Sequence, residues 1–269
     1  MSPVVLTIPD LIVAATLILL DGVLSLVLHL DLHRQLAIAT ARLVVQLVLI
    51  GLVLRFVFAL ASPWLTLAVV MTMIAIASRE VATRPRQRLA GLGNYTIGAG
   101  AVAFATVLTA TLGLATAIRP QPWYDPRYAV PLAGIVLGSV LNGASLALDT
   151  LLDGVVRERA AIEARLALGG TIALAMRPLL RRSIRNALLP IINQMSAAGI
   201  VTLPGIMTGQ ILAGMDPMEA VKYQILLMFL LAGGSGLAAV TTVYLARRRL
   251  TDTRQRLRLD RLQSGRRAA

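Results

Sequence analysis

Cysteine is absent, which excludes disulfide frameworks, thiolate zinc sites and cysteine nucleophiles. Charge is scarce too: Asp, Glu, Lys and Arg make up 14% of the 269 residues, where a soluble domain carries about a quarter. Aromatic residues reach only 4%, so the stacking platforms of a nucleic-acid binder are missing despite a net charge of +13. Lysine is nearly absent, since Lys222 is the one lysine among 26 basic residues. It precedes Tyr223, so no Gly-x-x-x-x-Gly-Lys-Ser/Thr phosphate loop exists. A His-Glu-x-x-His zinc helix and a Gly-x-Ser-x-Gly nucleophile elbow are missing as well.

What remains is apolar: 57% of the residues are hydrophobic and the mean hydropathy is +0.76. About 20 mainly apolar residues cross a hydrocarbon layer roughly 30 Å thick. Seven runs meet that length, at about 11–30, 36–60, 64–80, 94–118, 129–149, 187–213 and 220–246. The fold class is therefore all-α: a polytopic membrane protein of about seven helices forming a single transmembrane domain over 1–269. The first run follows Pro9 and Asp10 without a basic leader and reads as a retained helix.

Basic residues near span ends set orientation, with the arginine-rich side in the cytosol. An outside amino terminus and a cytosolic carboxy terminus put 21 basic residues inside: Arg34, Arg79 to Arg88, Arg157 to Arg185 and Arg247 to Arg267. Arg119, Arg127 and Lys222 fall outside. The positive charge then marks one membrane face, in contact with lipid headgroups and not with nucleic acid. It concentrates in a cytosolic loop at 150–186, which reads as a loop or a pair of short helices, and in a basic tail at 247–269.

Polar groups inside spans are costly and seek a partner or a cavity. Asp21 in the first span and Arg42, about 9 Å into the second by helical rise, have similar depths and suggest a buried pair completed by Gln46 one turn on. In the fifth span Gly134, Gly138 and Asn142 share a stripe, which predicts either a close packing seam or a polar lining. Pro204-Gly205 should break the sixth span and leave Pro204 to Asp216 kinked or re-entrant. Gly233 to Gly236 suggests a second flexible point in the seventh. Asn142, Asn193, Gln194, Gln210 and Asp216, with the Pro204-Gly205 break, are the candidate translocation path. Met195, Met207, Met215, Met218 and Met228 cluster nearby and read chiefly as adaptable filler. His29 and His33, one turn apart, read as an interfacial pair.

The long loop contains Glu163-Ala164-Arg165-Leu166-Ala167-Leu168-Gly169-Gly170, then Arg177-Pro178, Arg181 and Leu189-Pro190. This resembles the coupling-helix signature of ATP-binding-cassette (ABC) permeases, with Leu189-Pro190 lying later than in the importer version. The wider chain resembles the Fet-type iron-export permeases of bacteria and the related plant aluminium-sensitivity permeases. The likeness lies in Arg42-x-x-x-Gln46 followed by Gly51, in Glu163 to Pro190, and in Leu203-Pro204-Gly205-Ile206-Met207-Thr208-Gly209-Gln210 running on through Asp216-Pro217 to Ile225.

The resemblance implies an exporter of two permeases and two separate ATPase subunits in the cell inner membrane, with iron as cargo. Glu163, Arg165, Gly169, Gly170, Arg177 and Arg181 would contact the ATPase, and ATP and Mg would bind that partner, leaving this chain without a cofactor and without enzymatic activity. Two alternatives stand beside it: a nucleotide sugar such as UDP-glucose as cargo, as the plant relatives imply, or a stand-alone secondary transporter, for which Asp21 would have to bind the coupling ion.

Overall fold

A computed structural model of the chain describes residues 7–252 and 254–264. Arg266 and Arg267 of the basic tail lie outside the described residues. The helices are α1 (Ile8–Val27), α2 (His33–Leu60), α3 (Pro63–Thr83), α4 (Gly93–Leu112, extended by a π-helical turn Gly113–Ile118), α5 (Pro126–Arg157), α6 (Arg159–Ala167), α7 (Ile172–Ala197), α8 (Gly205–Leu212) and α9 (Pro217–Leu250). Two short strands, β1 (Gln87–Leu89) and β2 (Leu262–Ser264), pair antiparallel with Arg88 opposite Gln263.

Helix starts follow from capping chemistry. Orphan amides in the first turn need acceptors, and proline at the first position gives up an amide that has no partner anyway. Asp125 before Pro126 accepts from the Arg127 amide at 2.9 Å, and Asp216 before Pro217 accepts from Met218 at 2.9 Å and Glu219 at 3.3 Å. Thr171 accepts from Leu174 at 3.3 Å to open α7.

The core is built around α5, which packs against α3, α4, α7 and α9. Val136, Val140, Ala144, Ala147, Leu148, Leu151 and Leu152 on its inner face are fully buried. From α9, Ala238, Ala239, Val243, Ala246 and Leu250 meet them. Alanines recur on both sides of this seam, and small residues let the helices approach closely, which matters because lipid supplies no hydrophobic drive between them. The α1–α2 hairpin stands apart, and Val57 is the buried residue of α2.

Among the described residues, six helices are long and apolar enough to cross a membrane: α1, α2, α3, α4 with its π turn, α5 and α9. The expected sixth span, at 187–213, is corrected in its bounds. The basic stretch from Arg157 to Arg185, expected as a loop or a pair of short helices, is helical: it runs through the short α6 and the first half of α7, whose 26 residues carry Arg177, Arg181, Arg182 and Arg185. Only 186–197 is free of charge, about 18 Å of helix and too short to cross alone. The helix ends at Ala197, and irregular chain over 198–204 leads into the short α8.

The glycine run in the seventh span is corrected too, because α9 continues unbroken through Gly233 to Gly236. A Cβ at Gly234 would lie 3.2 Å from Thr109 Oγ1 and 3.3 Å from Val140, so this is where α4, α5 and α9 converge and not a hinge.

Arginine-rich segments gather at one end of the bundle. There β1, between α3 and α4, pairs with β2 of the tail. The Arg86 amide donates to Asp149 of α5 at 2.9 Å, and the Ile172 amide opening α7 donates to Gln255 of the tail at 2.8 Å.

Candidate functional site

At the arginine-rich end, α5, α6 and the start of α7 form a helical knuckle. Two glycines turn the chain between α6 and α7. The Gly169 amide donates to the Leu166 carbonyl and the Gly170 amide to the Arg165 carbonyl, both at 3.0 Å, which closes the helix in a Schellman motif. Gly169 takes the left-handed conformation this requires, with φ of +86°. A Cβ on Gly170 would stand 2.8 Å from the Arg165 carbonyl oxygen, so that position must also stay bare.

Ile162 anchors the knuckle in the core with no exposed surface, while Leu168 at its apex is 88% exposed. The arginines fasten it to its neighbours. Arg165 donates to the Ala175 carbonyl at 3.0 Å, binding α6 to α7. Arg182 of α7 pairs with Glu158 between α5 and α6. Arg159 pairs with Glu163 at 2.8 Å, an exposed contact of little energetic weight. Arg177 and Arg181 are exposed on α7. A polar hollow of about 330 Å³ opens beside the knuckle, lined by Asp149, Asp153, Arg157, Glu158, Arg182 and Asn186. The expected coupling residues thus share one protruding, charged, internally braced element, although Arg165 is turned toward α7 and Glu163 toward Arg159.

The opposite end holds the segment expected to be kinked or re-entrant. Pro204 precedes α8, Gly205 begins it, and Gln210 lies on it half-buried with an amide oxygen that finds no partner. Gly199 (φ +83°) and Gly214 (φ +93°) bracket α8 in left-handed conformation, giving the chain a turn on either side of it. Between this segment, the end of α7 and α9 lies a cavity of about 410 Å³, lined among others by Met195, Pro204, Met207, Gln224, Met228 and Phe229. Gln224 is 7% exposed, and its amide oxygen also lacks a partner. Gln224 falls within the family-like stretch that runs to Ile225 and is a lone amide in an apolar span, but it was not among the expected path residues.

Other expected path residues are dispersed. Asn193 and Gln194 are exposed at the end of α7. Asn142 is also exposed and accepts from Arg84 at 3.5 Å, well away from α8. Asp216 caps α9 instead of pointing into a path. The Gly134 stripe is not a single seam: Gly134 meets Met73 of α3, whereas Gly138 has open space around it.

The Asp21–Arg42–Gln46 cluster is not formed. All three are exposed, and Asp21 and Arg42 make no ion pair among the described residues. Matching depth did not fix the azimuth: α1 and α2 face each other across a cleft lined by Gly22 and Ala41, each about 100° round its helix from the neighbouring charge. His29 and His33 are exposed, and among the described residues no three His, Asp or Glu side chains cluster as metal ligands.

Comparison with known proteins gives this architecture a family. A UPF0014 membrane protein of Synechocystis sp., slr1647, is 38% identical over 80% of this chain and 83% of its own length. The Probable iron export permease protein FetB of Escherichia coli is 31% identical over 85% of this chain and 86% of its own. The Protein ALUMINUM SENSITIVE 3 of Arabidopsis thaliana is 30% identical, over 86% and 83% respectively. No solved structure matches. The resemblance found in the sequence thus holds at the level of the family, and the chain is a multi-pass membrane protein. Since the model described as "Uncharacterised protein family (UPF0014)" matches residues 8–251, nearly the whole of the bundle described above, the chain belongs to that family.

Proposed function

We propose that this chain is the membrane-spanning subunit of an ATP-driven iron exporter. It would sit in the inner membrane as a homodimer, with the arginine-rich end in the cytosol, the amino terminus outside and a separate ATPase seated on the α6 knuckle. ATP and Mg belong to that partner. The observation that carries the reading is the similarity, over 85% of this chain, to a protein whose own name is Probable iron export permease.

The geometry supports a route for the coupling. α6 is tied to α7 by Arg165 and Arg182, and α7 runs unbroken for 26 residues from the knuckle to the glycine-bracketed α8. A rod of about 39 Å carries movement of the dock to the far end, where Gly199 and Gly214 let α8 shift. Alternating access then comes from α8 and its cavity, with α9 as a rigid wall. The cavity offers thioethers and one amide but no carboxylate, which suits a ligand-coated form of iron better than a bare hydrated ion. Its lining has no Lys, Arg or His to meet a diphosphate, so nothing there favours a nucleotide sugar.

The test is ATP-dependent uptake of labelled iron, against labelled UDP-glucose, into inverted vesicles holding this chain and its co-purifying ATPase. Iron uptake that requires ATP supports the reading. Transport that persists without ATP and without a partner subunit makes the chain a secondary transporter instead.

A further inference from the structure

We infer that the α1–α2 hairpin is the surface on which two copies of this chain meet, with Asp21 of each copy paired to Arg42 of the other. The inference rests on the homodimer reading and adds to it the face and the residues.

Asp21 and Arg42 are exposed on helices that read as membrane spans. Ionisable groups at such depths face one another or a wet cavity. Neither outlet exists within one copy. The cleft between α1 and α2 is apolar and both charges lie off it. The buried residue of α2 is Val57, about 22 Å along the helix from Arg42, so no bundle group approaches there. An arginine stem can snorkel toward water, but the short side chain of Asp21, about 9 Å in from the Val27 end of α1, cannot.

Depth and sign identify the partner. Arg42 lies about 14 Å from the His33 end of α2, and both distances are measured from the turn that joins the two helices. A two-fold axis along the membrane normal leaves depth unchanged, so Asp21 of one copy arrives at nearly the level of Arg42 of the other. The contact is self-complementary, and one acid and one base per copy form two pairs. A soluble ATPase or a lipid headgroup does not reach that level.

The absence of cysteine makes a clean test possible. Two differently tagged full-length copies, one Asp21→Cys and one Arg42→Cys, are co-expressed and oxidised in membranes. A disulfide-linked product carrying both tags is expected. A chain bearing both substitutions that closes only within itself overturns the pairing.

Charge exchange adds a second readout. Copies with Asp21→Arg and copies with Arg42→Asp should each lose the dimer alone and recover it when mixed, because only pairs between copies are then opposite in sign. Failure to recover overturns the inference. The mass of the unmodified complex separates the two readings: a dimer without the cross-link removes this surface alone, and a monomer removes both.

Discussion

Gly143 of α5 lies against Ser235 of α9 so closely that a Cβ on residue 143 would stand 2.5 Å from Ser235 Oγ and 2.9 Å from its carbonyl oxygen. The obstruction is partly backbone and cannot swing away. Gly143→Ala should therefore destabilise the bundle by about 1–3 kcal/mol, outweighing the roughly 1 kcal/mol by which alanine favours a helix. Gly138, five residues earlier with nothing near it, should tolerate alanine without loss. Thermal unfolding in detergent checks both, and equal melting temperatures for the two variants would contradict the seam.

That contact shows where the sequence was legible and where it was not. Six of the seven expected spans and the break near Pro204 could be read because each depends on local chemistry. The α5–α9 seam could not. Gly134, Gly138 and Asn142 keep the right period, but the close approach falls one residue further along the helix, at Gly143. Gly233 to Gly236 looked flexible because glycine is flexible alone, but the run lies in unbroken helix and Gly234 packs against Thr109 and Val140. The first half of α7 read as loop or short helix, and not as the start of a long one, because arginines dominate its hydropathy. Yet Leu179, Leu180, Ser183, Ala187 and Ile191 recur at helical spacing and are all buried, with the arginines on the other face.

The knuckle gives a second prediction. Gly169 has no atom near an added Cβ but holds φ of +86°, so its substitution is opposed by conformation and not by space. Gly169→Ala should loosen the α6–α7 turn by about 1–2 kcal/mol, and Gly169→Asn by less, since asparagine tolerates the left-handed region. Both variants should insert in the membrane normally. Recovery of the ATPase on purification should fall in the order glycine, asparagine, alanine, and the larger Gly169→Arg should abolish it. Recovery independent of residue 169 would remove the knuckle as the dock.

Gln224 supports a third. Its amide oxygen is buried without a donor, a state that costs about 1–3 kcal/mol. A side chain retained at that cost suggests use by the cavity it lines, since stability is often given up at working sites. Gln224→Met, similar in volume and apolar, should raise the melting temperature while lowering transport. A variant that gains stability and transports at the full rate would show that the cavity does not need the amide.

Acid sensitivity should appear in the tail. Asp252 accepts the Arg256 amide at 2.9 Å and the Arg254 amide at 3.0 Å. The bond from Arg256, with help from the Arg254 amide and the charges of Arg256 and Arg258, holds its carboxyl below the usual carboxylate range. Asp260 is lowered likewise by its bond to Arg258. A carboxyl depressed in the folded state stabilises fully above its unfolded value of about 3.9 and loses that effect as pH falls through the lower folded value. Docking of the tail through β1–β2 should therefore be flat from about pH 8 to pH 5 and weaken only on further acidification. Asp252→Asn should loosen the tail at neutral pH. A dye on Gln263→Cys, read by fluorescence anisotropy, follows both. A transition near neutral pH, where neither carboxyl changes its charge, would overturn the assignment to Asp252.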